Sequence, residues 1–337
     1  MRKKSFFIFT LILLLIVAIV AIISWLQFKG SAVEQDSDFF ISKRDSYQNL
    51  LVKLQPHIAH RAAFRYYAQH IDLEKRFKAG RYVLKRGMNV IEVARMIALG
   101  LQTPVKVTFN NCKIPPHLAA KLAPQLDADS TELVHALRSQ ELATQLGMDS
   151  VTLFSVCIPN TYELYWTTSA EDFVRRMKRE YDRFWSSERD SLRARSGLSR
   201  MEVMTLASIV YEETRAVDEM PRIAGVYVNR LKKGIPLQAD PTVKFAMQDF
   251  ALRRILYRHL KYPSPYNTYV NRGLPPSPIC LPSVAAIEAV LHFERHDYIF
   301  FCARPSFDGH HNFARTLREH NANARAYAKE LNRRKIR

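Results

Sequence analysis

The chain has 337 residues, 47% of them hydrophobic and only 10 of them glycine. That excludes a disordered or low-complexity polymer and leaves room for a membrane segment with two modest domains or one large one. Fifty lysines and arginines against 32 aspartates and glutamates give a formal charge of +18, so the expected partner is a polyanion: nucleic acid, anionic lipid or an anionic wall polymer.

The first element decides among these. Arg2, Lys3 and Lys4 precede an uncharged run, SFFIFTLILLLIVAIVAIISWLQF, long enough to cross a bilayer as a helix, with Trp25 near its far end where interfacial aromatics sit. A cleaved signal peptide would carry a shorter apolar core and a small-x-small site, and no good one precedes Trp25. The expected order is a cytoplasmic tail at residues 1–4, a transmembrane anchor in the lipid bilayer at 5–27 and a polar stalk at 28–45. The positive-inside rule puts everything after Lys29 outside the cytoplasm, on the periplasmic side of the cell inner membrane. Nucleic acid is thereby removed as a partner. The basic excess suits a negatively charged surface or glycan, and part of it lies in the C-terminal run NRRKIR. The four cysteines, Cys112, Cys157, Cys280 and Cys302, are dispersed with no C-x-x-C pair, which argues for buried free thiols rather than a zinc site.

From Ser46 onward helical patterns mix with short strand-like runs, an α+β arrangement. Gly80 introduces a β-like run at Tyr82 to Leu84, Gly87 marks a turn, and Asn89 caps a helix with Val90, Val93, Ala94 and Ile97 on its apolar face. TPVKVTFNN, 103–111, alternates as a strand does. PPHLAAKLAPQL and STELVHALRSQELATQLG read as short helices, the second capped by Ser130 and Thr131. A subdomain at 46–105 and a larger mixed α+β domain at 106–337 are expected.

LSRMEVMTLASIVYEET sets Ser199 and Glu202 at capping-box spacing, so a helix begins there. At about 100° per residue Val203, Leu206 and Val210 form one stripe, and Glu213 falls about 20° from Leu206. Glu212 projects with Thr205 and Ser208. The pattern therefore predicts a solvated Glu212 and an inward Glu213. An inward carboxyl at a helix end holds its proton at neutral pH where its surroundings exclude water. The plainer alternative is a buried glutamate paired with an arginine or neutralised by a backbone cap. A second helix is expected from near Asp218 to Gly234, with Pro221 in its first turn.

LASIVYEET, NRL, LQADPTV, YNTY, GLPPSPI and GHHNFARTLREHN, in that order, resemble the YceG-like (MltG) family of endolytic murein transglycosylases, most densely from 154 to 321. The resemblance implies a single-span membrane protein that cuts the MurNAc–GlcNAc β-1,4 bond of nascent peptidoglycan glycan strands, leaves 1,6-anhydroMurNAc ends and limits strand length. It implies no cofactor, no metal and peptidoglycan synthases as partners. Glu213 matches the family's catalytic acid, the residue the helical wheel also selects. The substrate-binding candidates it implies are Asn160, Glu163, Gln238, Asp240, Tyr266, Asn267, Thr268, Tyr269 and His311: amides for N-acetyl and hydroxyl groups, aromatic faces for sugar rings. Residues 80–101 match a part of the family described as LysM-like, a small βααβ glycan-binding module.

Two positions depart from the family pattern. Tyr211 replaces its first glutamate, and Asn160 replaces an aspartate, so an amide stands where a charge is usual. Several candidates also have plainer roles: Asp240 before Pro241 can start a turn or cap a helix, and Tyr266 and Tyr269 can be core aromatics. His310, His311 and His320 lie within eleven residues but at no zinc spacing. Beside the transglycosylase stand a muramidase-type hydrolase with Asp240 as second carboxylate, and a non-catalytic glycan-binding scaffold motivated by Tyr211 and Asn160.

Overall fold

The apolar run folds as one helix, Arg2–Lys29, within which Phe6–Lys29 has a mean hydropathy of 3.4 and an apolar stretch that no protein covers, Phe28 near its end alone packing on the body. It is long and apolar enough to cross a membrane. The structure, a computed structural model, describes residues 2–252 and 254–334; Met1 of the expected tail and the last three residues of the basic C-terminal run lie outside the described residues. The chain divides into two units. One comprises the chain up to Val107 with Pro124–Ala128 and Tyr162–Ser169; the other comprises Thr108–Ala123, Asp129–Thr161 and the chain from Ala170 onward.

In the first unit the strand Ser37–Ile41 runs antiparallel to Gly80–Leu84, with Phe39 opposite Tyr82. Alternation along both strands buries Phe39, Ile41, Tyr82 and Leu84 against Leu50, Phe64, Val93 and Ile97, side chains whose burial is worth roughly 1.5–3 kcal/mol each. The helices Tyr47–Leu54, Arg61–His70, Leu73–Arg76 and Val90–Leu99 complete the unit. Asn89 caps the last of these in a full capping box with Glu92, after a turn in which Gly87 adopts φ 92°.

The expected polar stalk is corrected here. Ala32 and Val33 are buried and donate their N–H groups to the Met88 carbonyl, and Ser37–Ile41 is half of the sheet. Two inward residues in a five-residue strand leave little apolar signal among polar neighbours. The unit's regular structure after the first helix accordingly begins at Ser37 rather than Ser46, in the order strand, three helices, strand, helix.

The second unit holds most of the helices. Asp129, not Ser130 or Thr131, caps Ser130–Leu137, because Glu132 three residues on completes its capping box. Phe300–Ala303 forms an antiparallel hairpin with His311–Ala314. All four cysteines are free, and Cys112, Cys157 and Cys280 are buried.

The helix Arg200–Glu213 packs against Met220–Lys232 and Val284–Leu291. Ser199 and Glu202 form the expected capping box. Every residue from Val203 to Val210 is buried, Thr205 and Ser208 included. The Ser208 hydroxyl is satisfied by donating to the Thr205 carbonyl at 2.7 Å and accepting from the Ile279 N–H at 3.0 Å. The next helix meets the segment after Leu291 closely: a Cβ on Gly225 would lie 2.3 Å from the Glu294 carbonyl oxygen, so only glycine fits.

Candidate active site

Glu213 is the last residue of the helix Arg200–Glu213; the chain turns extended at Thr214. Its carboxyl meets Tyr227, a fully buried residue on the following helix, whose hydroxyl donates to Glu213 Oε1 at 2.8 Å. Both residues line a cavity of about 360 Å³. Arg230 from the same helix adds a cation, Gln238 and Asp240 enter from the next turn, and Tyr269 enters from the YNTY loop. Phe300 and Phe301 from the hairpin and Leu317, His320 and Asn321 from the C-terminal helix close the wall.

Burial pushes the Glu213 carboxyl up to about 7; the Tyr227 hydrogen bond opposes this, while the charges of Asp240 and Glu212 add to it. At neutral pH both protonation states are populated. The Tyr227 hydroxyl is itself raised well above its ordinary value, first by burial and then by Glu213, so it remains a donor.

The polar wall is built by hydrogen bonds among loops. Arg230 donates from Nε to the Pro236 carbonyl, from Nη1 to the Ile299 carbonyl and from Nη2 to Gln238 Oε1, at 3.0, 3.0 and 2.6 Å. Its partners are all uncharged. Gln238 sits at φ 53°, a left-handed conformation held by its N–H bond to the Thr268 carbonyl. Thr268 Oγ1 accepts from the Ala239 N–H at 3.0 Å and lies 2.8 Å from Thr242 Oγ1. Asn267 is fully buried; its amide donates to the Leu260 and Tyr262 carbonyls and accepts from the Tyr269 N–H. So fixed, Tyr269 donates its hydroxyl to Asp240 Oδ1 at 2.7 Å.

Of the residues expected to make a site, Glu213, Gln238, Asp240 and Tyr269 meet around this cavity. The others do not line it. Asn267 and Thr268 bond to the chain itself and hold the loops. Tyr266 bonds Ser277 Oγ at 2.7 Å and packs its ring on Phe245. His311 bonds Glu219 through both its ring Nδ1, at 2.7 Å, and its N–H, at 2.8 Å. Neighbouring His310 turns to Asp218 instead, which raises its pKa. The two histidines face different carboxylates and pin the hairpin to the start of the Met220–Lys232 helix. Asn160 is exposed and accepts from the Thr161 N–H, and Glu163 is also exposed.

Glu212 is not solvated, contrary to the wheel. It pairs with Lys113 at 2.8 Å with its side chain 11% exposed, and its Oε1 is buried without a hydrogen-bond partner. A helix covered on nearly all sides leaves no solvated face for it to occupy. Tyr211 lies under the Arg215 guanidinium, 4.6 Å from the ring centre.

Tyr227, Phe300 and Phe301 carry no sequence signal that separates them from core aromatics. Arg230 lay inside the NRL motif without an assigned role. His320, weighed only against metals, instead stacks on Phe300 at 5.2 Å. Burial and then Arg230 lower its pKa, and its Nδ1 is buried without a partner.

The sequence model of the YceG-like family matches residues 39–326. The endolytic murein transglycosylase of Bacillus subtilis strain 168 is 30% identical over 286 residues, which cover 80% of this chain and 78% of that protein. That of Streptococcus pneumoniae strain D39 is 25% identical over 299 residues, 79% of this chain and 53% of the relative, so the chain spans about half of the pneumococcal protein. A crystal structure of a yceG-like protein from Listeria monocytogenes matches with a TM-score of 0.58 and 26% identity over 86% of this chain and 98% of that one.

Proposed function

The chain belongs to the YceG-like family, and from that premise we propose a membrane-anchored endolytic transglycosylase that cuts the MurNAc–GlcNAc β-1,4 bond of nascent peptidoglycan. Its enzyme class is that of its relatives, a lyase acting on peptidoglycan. The observation that carries this reading is the Glu213 carboxyl, desolvated to a pKa of about 7 at the wall of a cavity lined mainly by hydrogen-bonding and aromatic groups.

Protonated Glu213 donates its proton to the glycosidic oxygen as the bond to the anomeric carbon breaks. Positive charge develops at that carbon, and the same muramic residue's 6-hydroxyl attacks it. The Glu213 carboxylate, still held by Tyr227, takes that hydroxyl's proton and is restored to the acid. The product is a 1,6-anhydro ring, and no water is consumed. A single carboxyl suffices because the nucleophile is intramolecular and already close to the carbon it attacks. Tyr269 and the Phe300–Phe301 pair offer faces for sugar rings, and Gln238 offers an amide for N-acetyl or hydroxyl groups.

The anchor confines the site to glycan beside the membrane, where synthases extend strands. Support for an uncleaved helix comes from its end: Phe28 packs on the core of the first unit and meets Tyr66 at 5.9 Å, and Ala32 is buried directly after.

A hydrolase remains as second reading because Asp240 lines the same cavity. Incubating the full chain with uncrosslinked strands and weighing the new ends decides between them. Anhydro ends are expected; reducing ends, heavier by one water, would transfer the mechanism to Asp240 and water.

A further inference from the structure

The helix Leu317–Arg333 forms one wall of the cavity through Leu317, His320 and Asn321 and buries no residue completely. At about 100° per residue Arg318, Arg325 and Lys329 share a stripe that flanks Asn321. All three are exposed. The helix has two acidic residues, and both are committed elsewhere. Glu319 closes the capping box at Thr316 and accepts from the Arg315 N–H, while Glu330 pairs with Arg333 and Arg334. Among the described residues none of the three stripe cations pairs with a carboxylate. Some basic residues of other helices are paired, as Arg176 is with Glu180 and Arg189 with Glu288. The cavity that this helix walls also holds the cation Arg230, whose bonds are all to uncharged oxygens.

On a strand that bears stems the lactyl carboxyl of each muramic residue is tied up in the amide to its peptide, so the sugars themselves give these cations nothing to balance. The free carboxylates lie on the peptide stems. We propose that the Arg318–Arg325–Lys329 stripe is a docking rail for stem-peptide carboxylates, which selects glycan strands that still bear their stems. The proposal rests on the peptidoglycan reading of the cavity. It assigns the stripe to binding; the chemistry stays with Glu213.

The test uses the full chain in detergent with Glu213→Gln to prevent turnover, and fluorescent strands whose stem carboxylates are free or capped as amides. Strands with free stem carboxylates should bind roughly tenfold tighter than capped ones, with the advantage shrinking as salt rises. Arg318→Gln/Arg325→Gln/Lys329→Gln should erase that advantage. Exchanging each cation for the other basic residue should retain it, which separates charge from helix structure. Equal affinity of the parent for both strands, or an undiminished preference in the triple variant, overturns the rail. Loss of binding to phosphatidylglycerol vesicles with the strand preference intact also overturns it and reassigns the stripe to the lipid surface. If the unsubstituted chain cuts no strand at all, the transglycosylase reading fails, while these binding measurements still decide the rail.

Discussion

The Tyr227 hydroxyl donates to Glu213 Oε1 at 2.8 Å while burial holds the same carboxyl at about 7, so two opposing influences meet on one oxygen. The hydrogen bond favours the carboxylate; desolvation favours the acid. An acid that must give a proton and then recover one works best when neither form is strongly preferred.

Tyr227→Phe keeps the ring and removes the donor. The Glu213 pKa should rise above about 7, and the alkaline limb of kcat, set by loss of the acid's proton, should move to higher pH. The carboxylate formed after proton donation also loses its partner, so kcat itself should fall. A pH–rate profile with the limb unmoved would show that Glu213 does not set it.

Glu213→Gln should reduce turnover by about 10²–10⁴-fold, the range for a positioned acid–base group, and leave the fold intact. It should also alter stability against pH. The folded pKa lies above the unfolded value of 4.5, so the proton's contribution is fully present below about pH 4.5 and lost as pH rises through about 7. That contribution is at most about 3 kcal/mol. The parent should therefore lose stability between those limits relative to the Gln variant, measured as the difference in denaturant midpoints at pH 4.5 and pH 8.

Glu212 acts on the same group from the far side. Its charge raises the Glu213 pKa, and it is balanced by Lys113 at 2.8 Å. Glu212→Gln should move the alkaline limb to lower pH. Lys113→Met leaves a largely covered carboxylate without its cation and should cost about 1–3 kcal/mol, less than a fully buried pair because Lys113 is 25% exposed. Adding Glu212→Gln to Lys113→Met should return most of that loss in a thermal melt.

Part of the site was legible from local pattern. The Ser199–Glu202 capping box starts the helix, and the Val203–Leu206–Val210 stripe selects Glu213, which does line the cavity. The same wheel misjudged Glu212 because it assumes one face in water, and Lys113 comes from a distant part of the chain. The YNTY loop shows a different limit. Asparagine and threonine suit a sugar and suit a loop clamp equally well, and only the Leu260, Tyr262 and Ala239 backbone partners separate the two. In the first unit the strand Ser37–Ile41 was hidden because its partner Gly80–Leu84 arrives some forty residues later.

That distinction between clamp and sugar ligand is itself testable. Asn267→Ala removes three hydrogen bonds inside the fold and leaves the Leu260 and Tyr262 carbonyls short of a donor. Each such group costs about 1–3 kcal/mol, so a lowered melting temperature is expected, with an activity loss that tracks unfolding. Gln238→Ala, by contrast, removes an exposed amide that lines the cavity and bonds only Arg230 through its side chain. It should raise KM for glycan strands with little change in melting temperature. If Asn267→Ala instead folds normally and changes KM alone, the amide contacts sugar and the loop must open to admit it.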